Sequence, residues 1–154
     1  GSPIMPFAWV HGLVDEFGPY LVVHMARTAD GEPLCAVMSF LFGDTVYAYY
    51  SGARRNTYKT GVNDFIYCRI MEWAVERGYR HFDFGRSRKG TGPASFKKNM
   101  GFTAEPLAYE YLLLKDSAKM PEFHPGNPKL RLPRKVWTKL PRFLVDPIGT
   151  RVTR

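Results

Sequence analysis

Long apolar runs are missing from this sequence. No stretch approaches the roughly 20 residues needed to cross a bilayer, and no signal-peptide pattern opens the chain. It starts Gly1-Ser2-Pro3 with no Met before it, which reads as a processed, tagged or cut start. Cysteine is scarce: Cys35 and Cys68 are the only two, and neither has metal-ligand spacing or a histidine at motif spacing. Both are expected to be buried free thiols in a reducing cytoplasm. The four histidines form no HxxxH-type pair, so no metal is expected. A GxSxG elbow is also absent, and with it the signature of a serine-nucleophile triad.

What is present points to one mixed domain. The 154 residues suffice for a genuine core, and aromatic residues make up 15% of them. The net charge of +8 is unevenly spread: residues 115–154 hold ten Lys/Arg against three Asp/Glu. That basic tail suits nucleic acid, anionic lipid headgroups or acidic polymers, or is a solvated extension. The expected division is a domain over 1–114 and a basic, proline-containing extension over 115–154, with a short amphipathic helix near 134–143.

Along the chain, residues 3–17 carry a helical apolar spacing that stops at Gly18-Pro19. Strands are expected over 20–28, 33–42 and 45–51, joined at Asp30-Gly31 and Gly43-Asp44 as a meander. A polar, basic loop follows over 51–61. A helix over 62–77 is expected, with Val62, Phe65, Ile66, Ile70, Trp73 and Ala74 on one face, Asn63 or Asp64 as cap and Gly78 after its end. A strand at 80–84, a short helix near 94–100 and a strand at 107–114 complete an α-β-β-β-α-β-α-β order.

Residues 80–101, RHFDFGRSRKGTGPASFKKNMG, form the stretch around which the rest is organised. With Phe82 and Phe84 facing a core, alternation puts His81 and Asp83 on the other face, Asp83 near the strand's carboxyl end. The basic, glycine-punctuated loop that follows is suited to holding an anion or a polarised carbonyl, because amides and cations converge there without bulky side chains.

These residues carry a resemblance. FDFG at 82–85, the basic Gly-rich loop, FKKNMG at 96–101 and LAYEYLLL at 107–114 together resemble the C-terminal domain of FemAB-like proteins. The subgroup associated with exosortase/PEP-CTERM exopolysaccharide systems is the nearest likeness, through Asn127-Pro128-Lys129, Trp137, Leu140-Pro141 and Gly149-Thr150. The resemblance implies an α/β acetyltransferase-like (GNAT-like) fold, a mixed and mostly antiparallel sheet flanked by helices. It also implies acyl or aminoacyl transfer to an amine on a cell-envelope or polysaccharide precursor, with acyl-CoA or aminoacyl-tRNA as donor. An upstream GNAT-like domain, tRNA as a partner, and a cytoplasmic location with the tail at the inner membrane face belong to the same implication.

Carried over residue by residue, the resemblance places Phe96 and Lys97 at the active site, with Lys97 stabilising the oxyanion of acyl transfer. The alternative for Lys97 and Lys98 is a solvated helix face. Asp83 is read as an orienting carboxylate more than a base, with Arg86 or Lys97 as its expected ionic partner. Arg54, Arg55, Tyr50 and Asn63 are the further candidate substrate-binding residues, beside Arg86 and Phe96. Residues 54–64 hold one glycine, Gly61, and an acid at the helix start, so a coenzyme A cradle of the usual paired-glycine kind is not expected there. The competing reading is a non-catalytic binding module that acts with a second domain.

Overall fold

The computed structural model describes residues 6–57, 59–110 and 112, apart from the side chain of Arg55. The chain divides into two compact units, one of residues 13–104 and one of residues 1–12 with 105–154. Most of the second lies outside the described residues, including the expected tail helix near 134–143.

The elements are helix α1 (Phe7–Phe17), strands β1 (Leu21–Arg27), β2 (Pro33–Phe42) and β3 (Thr45–Ala53), helix α2 (Val62–Glu76), strand β4 (His81–Asp83) and helix α3 (Gly92–Asn99). Short 3-10 turns precede β1 and follow β3. The sheet order is β1-β2-β3-β4, with β2 antiparallel to both β1 and β3, and β4 parallel to β3. Parallel pairing of β3 with β4 requires a crossover, and α2 supplies it. The expected mixed, mostly antiparallel sheet with flanking helices is observed.

Alternation decides which side chains α2 covers. Cys35, Val37 and Ser39 of β2, Val46 and Ala48 of β3 and Ala26 of β1 are buried, together with Val62, Ile66, Tyr67, Ile70 and Ala74 of α2. Val37, Val46 and Ile70 are the largest fully buried apolar side chains, each worth about 1.5–3 kcal/mol of transfer free energy. Phe65, expected on this face, is 58% exposed, and Tyr67 takes a core place instead. Cys68 is exposed, contrary to expectation, whereas Cys35 is buried.

The expected cap of α2 is also corrected. Its N-cap is Gly61 at φ 72°, a left-handed backbone that suits glycine, and no side chain bonds the first turn. Neither Asn63 nor Asp64 can serve, because both already lie inside the helix. Gly78 does close the far end, at φ 81°. No strand occurs over 107–110 or at 112, the described part of the expected last strand.

Candidate active site

Two backbone features shape the site. The first is where β3 and β4 part. Thr45, Val46 and Tyr47 pair with His81, Phe82 and Asp83, and the ladder stops there. The carbonyl of Asp44 receives the N–H groups of Arg80 at 2.8 Å and His81 at 3.1 Å, so β4 is seated at the start of β3 only. Beyond Tyr47, β3 continues to Ala53 with its β4-side edge unpaired among the described residues. Ser51 lies opposite buried Val37, on the α2 face of the sheet, yet is exposed. The parting strands thus leave an open wedge.

The second feature is a bulge on that same stretch. Ser39 pairs with Ala48 and Met38 with Tyr50, so Tyr49 is the extra residue. The inserted residue puts two consecutive tyrosines on the face away from α2. Their rings meet edge to face at 4.8 Å, and Tyr49 meets Phe40 at 5.8 Å. Opposite the bulge, Ser39 is 0% exposed and its Oγ has no hydrogen-bond partner. Sequence reasoning missed both features. The only signal was a lapse in alternation at Ala48-Tyr49-Tyr50, and tyrosine is accepted on either face of a sheet.

On the other lip of the wedge, Phe82 is half-buried and Phe84 buried, while His81 and Asp83 are exposed, as alternation requires. Phe84 joins three segments: its ring lies 4.6 Å from Tyr67 of α2, 6.2 Å from Phe96 of α3 and 4.4 Å from Phe102. Half-buried Phe96 also meets Tyr67 at 5.6 Å, so it anchors α3 to the core. That anchoring presents Lys97 to the loop after β4. Lys97 Nζ donates to the carbonyl oxygens of Phe84 at 2.6 Å, Gly85 at 2.8 Å and Arg86 at 3.3 Å. Burial lowers the pKa of this ammonium, and the Asp83 carboxylate opposes the shift. Asp83 Oδ1 accepts the N–H of Gly85 at 2.5 Å, and Gly85 has φ 65°. The direct hydrogen-bond partner of Asp83 is this backbone N–H, and its carboxylate acts on Lys97 through its charge.

The structure therefore gathers Asp83, Arg86, Lys97 and the ring of Phe96 at one place. Arg54 directly follows β3. There it bonds Glu32 at 2.9 Å, at the turn between β1 and β2. Asn63 is half-buried in the first turn of α2, and Tyr50 is half-buried at the bulge. The side chain of Arg55 lies outside the described set.

The loop between β3 and α2 spends its threonines on itself. The Oγ1 of Thr57 donates to the Arg54 carbonyl and the Oγ1 of Thr60 to the Thr57 carbonyl, each at 2.7 Å, and the N–H groups of both residues bond the same two carbonyls. What remains open toward an anion is the first turn of α2, whose amides no side chain caps.

Comparison with known proteins decides the family. Residues 1–98 match the model of the acetyltransferase (GNAT) domain, well over half of the chain. The chain belongs to the GNAT acetyltransferase family. Solved structures carry the same fold. The aminoglycoside acetyltransferase AAC(6')-Iy, in complex with a bisubstrate analog of CoA and acetylneamine, superposes with a TM-score of 0.59 at 16% identity, over 72% of this chain and 82% of that one. A Pyrococcus furiosus protein assigned as an acetyl transferase gives 0.58 at 18% identity, over 69% and 73%. The aminoglycoside acetyltransferase meta-AAC0020 from an uncultured soil metagenomic sample, in complex with sisomicin, gives 0.56 at 16% identity, over 73% and 76%. No functionally curated protein matches the sequence. Among the described residues of this GNAT domain, no helix is long and apolar enough to cross a membrane.

Proposed function

We propose that this GNAT domain transfers an acyl group from a thioester or ester donor to an amine, with the acyl carbonyl held in the wedge between β3 and β4. The observation that carries the reading is the parting of the strands at the Tyr47–Asp83 pair, next to the bulge at Tyr49. Unpaired strand N–H groups are hydrogen-bond donors already fixed in place. Aimed at a carbonyl oxygen, they stabilise the negative charge it gains when attacked.

The chemistry needs little else. The amine nitrogen forms a bond to the acyl carbon, the C–S or C–O bond to the donor breaks, and the amine loses a proton to water or a carboxylate. Asp83 is the orienting group: one oxygen is held by the Gly85 N–H, and the second is left for the amine. Coenzyme A is the donor to test first, its phosphates meeting the uncapped amides of α2. Asp64 in that first turn and the inward-turned amides of Thr57 and Thr60 predict weak binding. The resemblance to FemAB-like proteins keeps aminoacyl-tRNA as the second donor.

For the acceptor, charge favours an amine on an anionic carrier, such as a phosphate-bearing cell-envelope or polysaccharide precursor. Residues 84–104 contain five Lys/Arg and no Asp/Glu. A polycationic aminoglycoside would meet like charge there. The test is acetyl transfer from acetyl-CoA to an amino-sugar phosphate and to a neamine-type polycation, read by release of free thiol. Faster transfer to the phosphate, with a rate that falls as salt rises, supports the reading. Transfer to the polycation alone contradicts it.

A further inference from the structure

Lys97 was expected to face a reacting oxygen, but its surroundings are those of a bound cation. An ammonium has three N–H donors. Three successive carbonyl oxygens, those of Phe84, Gly85 and Arg86, take them at 2.6, 2.8 and 3.3 Å. Three successive carbonyl oxygens converging on one point repel one another unless a cation or N–H donors meet them there. Here the turn also requires a glycine with φ 65° and a side-chain acceptor, Asp83 Oδ1, for the N–H of Gly85. The ammonium also lies over the Phe84 ring, 5.7 Å from its centre. An oxyanion at Lys97 would have to displace one of the three carbonyls.

We propose that Lys97 is a positioning residue: its ammonium is an internal cation around which residues 84–86 fold, and this fold sets Asp83 at the mouth of the wedge. The chain of action runs from Nζ to the carbonyls, from the carbonyls to the Gly85 turn, and from the Gly85 N–H to the Asp83 carboxylate. Lys98, exposed and next on the helix, has no place in it. The functional arm of this proposal rests on the acyl-transfer reading; the cage itself does not.

The experiment removes the ammonium and supplies it again. Lys97→Ala deletes three carbons and the nitrogen, so propylammonium is the matching probe. Tetramethylammonium, which has no N–H, controls for ionic strength. The expected melting temperature of Lys97→Ala is roughly 5–10 °C below wild type. It should rise saturably with propylammonium and stay flat with tetramethylammonium. Acyl transfer should return over the same propylammonium range.

Equal responses to the two salts overturn the cage. Recovery of stability without recovery of transfer overturns the positioning role. Should Lys97→Ala not fold, Lys97→Met keeps most of the chain's length without the charge. Its amide exchange is then predicted to be at least tenfold faster at 84–86 and unchanged in β2, and wild-type exchange at 84–86 would refute the proposal. If the wild-type protein transfers no acyl group from either donor, the acyl-transfer reading fails, and melting and exchange alone judge the cage.

Discussion

Tyr47 of β3 pairs with Asp83 of β4, and past that pair the two strands separate. In parallel register the two side chains stand side by side on the face away from α2. The last rung of the ladder thus places a carboxylate at the edge of the stretch of β3 that is bulged and, among the described residues, unpaired on its β4 side. The proposed acyl transfer depends on that adjacency.

The bulge can be removed without disturbing the strand on either side of it. Deleting Tyr49 leaves Ala48 opposite Ser39 and Tyr50 opposite Met38, with later pairs unchanged. The variant should fold with a melting temperature near that of wild type. Its kcat for acyl transfer should nevertheless fall by roughly 10²–10³-fold, as for the loss of a preorganised donor to the oxyanion. Undiminished transfer by the folded deletion would show that the bulge has no part in the reaction.

Asp83→Asn retains an oxygen to accept the Gly85 N–H but removes the charge offered to an amine. KM for the acceptor should rise roughly 10-fold, as for loss of one charge-assisted hydrogen bond, with a smaller change in kcat. Donor affinity should not move. Steady-state kinetics with the two substrates varied in turn separates these effects, and a donor KM that rises with the acceptor's contradicts an orienting role.

How much of this was visible in the sequence depends on the element. Residues 33–42 read correctly as a strand to the residue, because Gly31 and Gly43 bracket an apolar run. The burial of Phe84 and exposure of Asp83 followed from alternation alone. The expected core face includes Phe65 and not Tyr67, although both flank the face set by Val62, Ile66 and Ile70; packing against Phe84 and Phe96 selects Tyr67. The cap failed for a different reason: the sequence offers Asn63 and Asp64, but the left-handed turn at Gly61 starts the helix before them. Lys97 stands out in the sequence as a candidate, yet three backbone carbonyls as its partners leave no trace there.

His24 supplies a pH signature independent of catalysis. Its ring lies edge to face with Trp73 at 4.7 Å, its Nδ1 is buried with no partner, and Arg77 packs on the same indole at 4.6 Å. Burial first, and the Arg77 guanidinium second, hold its pKa below the ordinary value. The unfolded chain therefore takes up this proton first as pH falls. The stabilising contribution is full above about pH 6.5 and is lost as pH drops from there through the folded-state value. Melting curves from pH 8 to 5 should show that loss in wild type and less of it in His24→Gln; parallel curves would remove His24 from the explanation.

Amide hydrogen exchange with acetyl-CoA and with desulfo-CoA, both near saturation, tests the wedge as the acyl site most directly. Both ligands should slow exchange in the first turn of α2, residues 62–65. Only acetyl-CoA should add protection over 48–52 of β3 and at Gly85. Protection of 48–52 that does not depend on the acetyl group, or acetyl-dependent protection confined to other segments, would contradict the account.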